Sequence, residues 1–225
     1  MTTPDAHALP CPCPGLDILH ADADCVVLRK PSGLHSVPGL GSDKHDSILT
    51  RLQQHDPDIH AVHRLDRDTS GVMVFGRHKA ATSHFGKQFQ ARTVDKHYVA
   101  LVAGLPEEDA GEIDLPMRYA PEIKPRQIVD PIAGKPARTL WRVLARRQHV
   151  ALLALEPVTG RTHQLRVHLQ AIGHPILGDS LYAPDAWREA SPRLCLHAAE
   201  LAFDHPADGR RMRFTAPEDF STIFS

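Results

Sequence analysis

Apolar residues fall in short runs along most of the chain, and polar, turn-forming segments separate these runs. Many of the runs are four to eight residues long or alternate with polar positions, which is typical of β-strands. The predicted strands are Asp17–Ala21, Cys25–Lys30, Val72–Gly76, Lys96–Ala103, Ala137–Leu144, Val150–Leu155, Cys195–Phe203 and Arg211–Phe214. Because strands often follow one another without a crossover helix, the pattern predicts an α+β fold with a mainly antiparallel sheet.

Three other segments place apolar residues at helical spacing. The predicted helices are Asp46–His55, Lys79–Ala91 and Thr162–Ile172. Asp46 and Thr162 are the residue types that cap helix N-termini, so we expect each to cap its helix. Gly173 is the expected stop of the third helix, because glycine is common just after a helix end.

Composition indicates a folded protein with an unstructured start. Of the 225 residues, 42% are hydrophobic and 24% are charged, which excludes disorder of the whole chain. Residues 1–15 contain four prolines and no periodic pattern, so we predict a disordered leader there and one folded domain over 16–225. No apolar run reaches the roughly 18 residues that a membrane span needs, and the N-terminus does not have the pattern of a signal peptide. We therefore expect a cytoplasmic protein.

Net charge gives a misleading first impression of the partner. The chain has 26 basic and 27 acidic residues, which argues against a polyanionic ligand. However, residues 124–168 hold nine basic and only two acidic residues. This stretch is either a phosphate-facing patch or a solvated strand face, and the sequence leaves both open. Simple alternation places Arg138, Arg142 and Arg146 on one strand face and Arg147 on the other.

Metal and nucleotide-cofactor motifs are not evident. Cys11 and Cys13 have no second Cys/His pair at zinc-finger spacing, and four cysteines do not make a disulfide framework. Histidines recur in close pairs, at 60/63 and 163/168, but there is no H-E-x-x-H motif. We expect no bound metal. The chain also has no P-loop and no G-x-G-x-x-G, which argues against ATP-dependent and NAD-dependent chemistry.

Two polar segments are candidates for chemistry. His63–Gly71 (HRLDRDTSG) is a charged loop directly before an apolar strand, where arginines can hold a carboxylate ionised at the edge of the core. A solvated surface loop is the alternative. In the second segment, Arg161, His163 and Arg166 lie near a predicted helix N-terminus, which forms a site for an anion, either a phosphate or an aspartate.

Four motifs together carry a resemblance to a known family. They are Lys30–Leu34 (KPSGL), His63–Gly71, Lys96-x-Tyr98 and Gly160–His168 (GRTHQLRVH), and they occur in the family's order. The chain resembles the RluA family of pseudouridine synthases over about residues 16–220. The resemblance implies a catalytic domain at 16–225 without a preceding S4-like domain. It also implies conversion of uridine to pseudouridine within RNA, without cofactor or metal.

The resemblance also implies roles for individual residues. Asp66 matches the catalytic carboxylate, which either attacks C1′ or removes the C2′ proton. Tyr98 matches the tyrosine that packs on the target base and takes the C5 proton. Arg166 matches the arginine that pairs with the catalytic aspartate. Arg64 is similar to the arginine that fills the space left by a flipped-out nucleotide. His63 is expected to support the loop.

The sequence also predicts RNA contacts, and it leaves alternative functions open. The predicted RNA-binding residues are His63, Arg64, Arg138, Arg142, Arg146 and Arg161. Asp68 is expected to be a solvated acid or to help the loop fold. The substrate is large-subunit rRNA, tRNA or both, and the protein is expected to be a monomer. The alternatives are a non-catalytic RNA-binding or chaperone module and, less well matched to the motifs, a histidine-metal hydrolase.

Overall fold

The computed structural model describes residues 15–39, 45–218 and 220. Of the predicted leader, only Gly15 is among them, and Cys11 and Cys13 lie outside the described residues. The chain divides into two compact units: unit 1 is Met1–Asp95 with Glu200–Ala216, and unit 2 is Lys96–Ala199 with Pro217–Ser225. Across the described ranges, no helix is long and apolar enough to cross a membrane.

Unit 1 is built on short antiparallel strands and two helices. Its elements are β1 (Asp17–Ala21), β2 (Cys25–Lys30), α1 (Ile48–Gln53), β3 (His60–Ala61), β4 (Ser70–Gly76), α2 (Lys79–Ala91), residues 200–204 of β11 (Leu196–Asp204) and β12 (Arg211–Thr215). Strand β2 pairs with β1 and β4, β3 pairs with β4, and β12 pairs with β11, all antiparallel. Every residue of β4 is buried, as its continuous apolar run predicts.

The core of unit 1 lies between its strands and α2. Val27, Val74 and Phe85 are fully buried there, and the ring of Phe85 meets that of Phe203 edge-on at 5.1 Å. Edge-to-face contact is a favourable geometry for aromatic pairs. Helix α2 therefore fixes β4, which directly follows the charged loop His63–Gly71, in a well-packed position.

Unit 2 has a four-stranded antiparallel arrangement in the order β5, β10, β9, β6. Its elements are β5 (Asp95–Ala103), β6 (Ala110–Asp114), β7 (Met117–Tyr119), β8 (Gln127–Val129), β9 (Arg138–Arg147), β10 (Val150–Pro157), α3 (Gln164–Ala171) and α4 (Asp185–Glu189). Strands β7 and β8 pair separately as a two-stranded ribbon. Leu165 and Leu169 of α3 pack with Leu101, Leu153 and Leu155 in the core of this unit.

These elements confirm the predicted α+β fold with a mainly antiparallel sheet. Each predicted strand is present, with ends that differ by three residues or fewer, and the helix Lys79–Ala91 has the predicted bounds. The short strands β3, β6, β7 and β8 were not predicted. Three of them have only two or three residues, and β6 contains a single large apolar residue, Ile113.

The two predicted N-caps are wrong. Ser47, rather than Asp46, caps α1: its hydroxyl accepts the Thr50 N–H, while Asp46 pairs with Arg51 at 2.7 Å. Helix α3 begins after His163, whose backbone is left-handed with φ of 57°, and Thr162 does not cap it. At the other end of α3, Gly173 adopts φ of 86°, so the predicted stop is confirmed.

Strand β9 contains a bulge that its sequence does not reveal. Val143 is opposite Leu153 of β10 and Ala145 is opposite Leu152, so Leu144 is an extra residue without a partner in β10. An extra residue shifts the alternation of side chains beyond it, because two residues on one strand then oppose one on the other.

The bulge changes which arginines share a face of the sheet. Arg142 is opposite Ala154 and Arg147 is opposite Val150, and both partners lie on the same face of the regular strand β10. Arg146 is opposite Ala151, on the other face. The grouping of Arg146 with Arg142 is therefore wrong, and Arg147 takes its place.

Candidate functional site

A fully buried lysine anchors the loop that carries Asp66. Lys30, at the end of β2, donates from Nζ to the carbonyl oxygens of Pro31, Leu34 and Arg67 at 2.7–2.8 Å. Three carbonyl dipoles compensate an ammonium group that would otherwise be costly to bury. The Arg67 carbonyl also accepts the N–H of Gly33 at 2.9 Å. The KPSGL segment thus holds the residue that follows Asp66.

Two serines of the same region fix the loop at neighbouring positions. Ser36 is buried and exchanges two hydrogen bonds with the backbone of Leu65, at 2.7 Å to its carbonyl and 3.1 Å from its N–H. Ser32 donates to the carbonyl of Asp68 at 2.7 Å. Asp66 itself is half-buried, and its carbonyl accepts the Thr69 N–H at 3.2 Å in a tight turn. The backbone is therefore held on both sides of Asp66.

The second carboxylate of the loop has a different environment. Asp68 forms an ion pair with the neighbouring Arg67, with 2.8 Å between Arg67 Nε and the carboxylate. This hydrogen bond raises the pKa of the Arg67 guanidinium above its ordinary value. Asp68 thus contributes to the local structure of the loop, which agrees with the helper role predicted for it.

His63 connects the loop to unit 1's buried strand. Its Nε2 accepts the N–H of Val74 in β4 at 3.1 Å, and its ring stacks on Phe89 of α2 with 4.7 Å between centroids. These contacts confirm that His63 supports the loop. The next residue, Arg64, has an exposed side chain.

In unit 2, Arg166 pairs with a buried aspartate. Its Nε and Nη2 donate to the two carboxylate oxygens of Asp179 at 2.8 and 2.6 Å, and both side chains are at least 97% buried. Asp179 Oδ1 also accepts the N–H groups of Leu181 and Tyr182, at 2.9 and 3.1 Å. A bidentate ion pair with further hydrogen bonds fixes the plane of the guanidinium. Asp179 is thus a partner of Arg166. The predicted anion site formed by Arg161, His163 and Arg166 together stays a prediction, as does the pairing of Arg166 with Asp66.

Sequence reasoning gave no role to Asp179. The signal that could have found it is the dipeptide Gly178-Asp179. Gly178 has φ of 72°, and a Cβ there would lie 1.8 Å from the carbonyl oxygen of Arg193. Only glycine fits this turn, so the turn that presents Asp179 depends on it.

Tyr182 extends this network to the start of α3. Its hydroxyl lies 2.7 Å from Nδ1 of His163 and accepts the N–H of Gln127 at 2.9 Å. The guanidinium of Arg166 stands 5.1 Å from the centre of its ring, within cation–π distance. Arg161, before the helix, is exposed and donates from Nε to the carbonyl of Pro136 at 3.1 Å.

Tyr98 lies in β5 and is half-buried. It is opposite Leu155 of β10 and packs against the core of unit 2. The strand pairing and the core contacts hold Tyr98 in place, and its role at the target base stays a prediction.

Acidic partners compensate part of the basic stretch 124–168. Arg138 pairs with Glu112 at 2.6 Å, and Arg146 pairs with Asp109 at 2.6 Å while also donating to main-chain carbonyls. Arg142 is exposed and forms no ion pair with any residue that the structure describes. The other exposed basic residues of the stretch with no acidic partner among the described residues are Lys124, Arg126, Lys135 and Arg161.

Comparison with known proteins identifies the class. Residues 24–171 match the family model described as RNA pseudouridylate synthase, and this range contains Asp66, Tyr98 and Arg166. The chain belongs to this family, whose members isomerise uridine to pseudouridine in RNA. The resemblance seen in the four sequence motifs is thereby confirmed.

Individual relatives agree with this class. The dual-specificity RNA pseudouridine synthase RluA of Pasteurella multocida (strain Pm70) is 48% identical over 208 residues, which cover 92% of this chain and 95% of the relative. RluA of Escherichia coli (strain K12) is 47% identical with the same coverage. Among solved structures, human RNA pseudouridylate synthase domain containing 1 superposes with a TM-score of 0.78 at 30% identity, covering 95% of this chain and 88% of the human one.

Proposed function

We propose that this RNA pseudouridine synthase uses Asp66 as its catalytic carboxylate and acts, without cofactor, on stem-loops of both large-subunit rRNA and tRNA. The fixed backbone around Asp66 is the observation that supports its assignment as the catalytic carboxylate. Hydrogen bonds from Ser36 and Lys30 hold the residues on either side of it. Positioning of this kind is what a group needs if it is to meet one carbon atom of a bound nucleotide.

The chemistry requires a carboxylate at the sugar. The bond between C1′ and N1 breaks, the uracil turns, C5 bonds to C1′, and the proton on C5 leaves. N1, freed from C1′, takes up a proton, so the product is an isomer of the substrate. Asp66 either attacks C1′ or removes the C2′ proton, and both routes remain within the proposal. Tyr98 stacks on the base and accepts the C5 proton. By its place in the Gly160–His168 motif, Arg166 is the arginine proposed to orient the catalytic carboxylate.

Access to these atoms requires the nucleotide to leave the RNA stack. A stacked and paired uridine exposes neither C1′ nor C5, and extruding it costs a few kcal/mol. Arg64 is proposed to enter the space that the nucleotide vacates, and its exposed side chain two residues from Asp66 supports this role. His63 holds the same loop and contacts RNA beside it.

The remaining RNA contacts are proposed on the basic stretch. Arg142 and Arg161 come first, because both are exposed and neither pairs with an acid among the described residues. Arg138 and Arg146 can contribute only where RNA phosphates compete with Glu112 and Asp109.

The proposed substrate range is based on the relatives. The two RluA relatives are named as dual-specificity enzymes and match over nearly their whole length, which supports action on two kinds of RNA. The enzyme is proposed to work as a monomer in the cytoplasm, where both substrates occur.

The decisive experiment is pseudouridine mapping with purified protein on tRNA and large-subunit rRNA fragments. Asp66→Asn should abolish product on both RNAs, whereas the matched control Asp68→Asn should retain most activity because that carboxylate only pairs with Arg67. Product formed by Asp66→Asn would refute the catalytic assignment. RNA binding by the wild type without product would instead favour a non-catalytic module, and product on one RNA alone would remove the dual specificity.

The RNA face is tested by the salt dependence of binding. Arg142→Glu should weaken binding to both RNAs and reduce the slope of log affinity against log salt by about one. Arg146→Glu is the matched comparison, since Arg146 lies on the opposite face of β9 and pairs with Asp109. Equal slopes for Arg142→Glu and wild type would assign the stretch to a solvated strand face.

A further inference from the structure

Histidine and carboxylate groups that are far apart in sequence converge at one end of unit 1. The turn between β1 and β2 carries Asp22 and Asp24, and His205 follows β11. The side chains of these three residues each present one ligand atom, and the three atoms lie within 4.8 Å of one another. None of the three belongs to the motifs of the RNA-modifying site.

The carboxylate of Asp22 is held in one orientation. Its Oδ1 accepts the N–H groups of Asp24 and Cys25, both at 2.9 Å, which close the turn. Its Oδ2 faces two imidazoles, with His20 Nε2 at 2.6 Å and His205 Nε2 at 3.1 Å. Four hydrogen-bonding contacts thus fix both oxygens of this carboxylate.

The carboxylate of Asp24 adds a second oxygen ligand beside the imidazole nitrogen of His205. Asp24 Oδ2 lies 4.0 Å from His205 Nε2, while its Oδ1 contacts His78 Nε2 at 3.1 Å. Transition-metal ions bind imidazole nitrogen and carboxylate oxygen at about 2.0–2.2 Å, so ligand atoms around one ion stand about 3 to 4 Å apart. The separations of 3.1 and 4.0 Å between His205 and the two carboxylates fit that spacing.

We propose that Asp22 Oδ2, Asp24 Oδ2 and His205 Nε2 form a binding site for one divalent transition-metal ion of the zinc class. Water completes the coordination. On binding, the proton on Nε2 of His205 moves to Nδ1. In the structure Nδ1 accepts the N–H of Ala207 at 3.3 Å and lies 3.5 Å from the carboxylate of Asp208, so binding exchanges the first contact for a hydrogen bond to that carboxylate. A carboxylate behind a ligating imidazole is the usual way to fix its ring and tautomer. His20 keeps its hydrogen bond to Asp22.

The site ties together two parts of the chain in unit 1. It joins the β1–β2 turn to the segment between β11 and β12, which are about 180 residues apart in the sequence. The ion is structural in this role: it stabilises the fold of unit 1 and takes no part in the RNA chemistry.

Cys25 is not a ligand in this proposal, although its Sγ lies 3.8 Å from Asp22 Oδ2. It is completely buried, whereas the side chains of Asp22 and Asp24 are 29% and 20% exposed and can be reached by an ion from solvent. The alternative set of His20, Asp22 and Cys25 is an outcome that the test distinguishes.

The test is metal titration of the full chain after treatment with chelator and desalting. Zinc binding is followed by calorimetry and cobalt(II) binding by its visible spectrum, for wild type, Asp24→Asn and His205→Gln. The controls are Asp58→Asn and His149→Gln, since both residues are exposed and outside the cluster. Each cluster variant should lose roughly tenfold or more in affinity for one ion per chain, while the controls should match wild type.

A second measurement keeps the test valid if a variant folds poorly. Zinc should raise the Tm of wild type and of both controls, because an ion that binds only the folded state stabilises it. The Tm of Asp24→Asn, the more conservative change, should not respond to zinc.

Three results would overturn the proposal. One is wild-type affinity in both cluster variants, which would assign binding to other histidines. Another is a thiolate-to-cobalt charge-transfer band, which would assign it to Cys25. The third is the absence of any zinc effect on the wild-type Tm, which would leave the cluster as a set of hydrogen bonds alone.

Discussion

The Asp66 loop of unit 1 and the Arg166 network of unit 2 both position a charged group, but they do so with different contacts. Around Asp66, buried Lys30 donates to three main-chain carbonyls, and Ser36 bonds to the backbone of the loop. Around Arg166, the partner is a side chain, the carboxylate of Asp179, which is completely buried. One arrangement fixes a backbone, and the other fixes a guanidinium.

This difference bears on how each region tolerates change. A buried ion pair is sensitive to mutation, because removing one partner leaves a buried charge uncompensated. A backbone held by several separate hydrogen bonds, from the charged Lys30 and the neutral Ser36, loses only part of its support when one of them is removed. We therefore expect the largest effects on stability in the Arg166 network, and effects on rate with smaller losses of stability in the Asp66 loop.

The largest expected effect is that of Asp179→Asn. It removes the charge opposite buried Arg166 and should lower the free energy of unfolding by about 3–5 kcal/mol, measured by urea denaturation. The control is Asp185→Asn, whose carboxylate is 81% exposed and pairs with Arg188, so a loss of about 1 kcal/mol at most is expected. Similar losses for the two variants would mean that Arg166 does not depend on Asp179.

Lys30→Met should follow in size. It leaves three carbonyls without their donor, including that of Arg67 beside Asp66, and should cost about 2–4 kcal/mol of unfolding free energy. Because the loop then loses its anchor, the single-turnover rate of pseudouridine formation should fall more than RNA affinity does. Lys79→Met, at an exposed position of α2, should change neither quantity. A folded Lys30→Met enzyme with a wild-type rate would contradict the positioning role.

Much of this fold could be predicted from local pattern. The strand Cys25–Lys30 and the helix Lys79–Ala91 have their predicted bounds because an apolar run or a helical stripe extends along the whole element. The loop with Asp66 could be singled out because its charges stand directly before the buried run of β4. These signals depend on neighbours within a few residues, which a sequence displays directly.

The features that could not be predicted depend on a single backbone conformation or on distant residues. His163 enters a left-handed conformation before α3, and Leu144 is an extra residue in β9; neither leaves a compositional mark. The contact of Asp22 with His205 joins the two ends of unit 1's sequence. Gly178 marks the turn at Asp179 but does not show that the partner of Asp179 is the buried Arg166. The causes are thus a local backbone conformation, a strand register and two long-range contacts.

Tyr182→Phe should have the smallest effect of the three variants, and it tests a single oxygen atom of the Arg166 network. Phenylalanine keeps the ring next to Arg166 but removes the oxygen that meets His163 Nδ1 and the Gln127 N–H. The loss should be about 1 kcal/mol of unfolding free energy. Since the Asp179 pair still holds the guanidinium, kcat should stay near wild type, and any change should appear in KM through the start of α3. A fall in kcat comparable to that of Lys30→Met would show that the phenol oxygen, and not the ion pair alone, sets the position of Arg166. The two regions would then share the same dependence on hydrogen bonds.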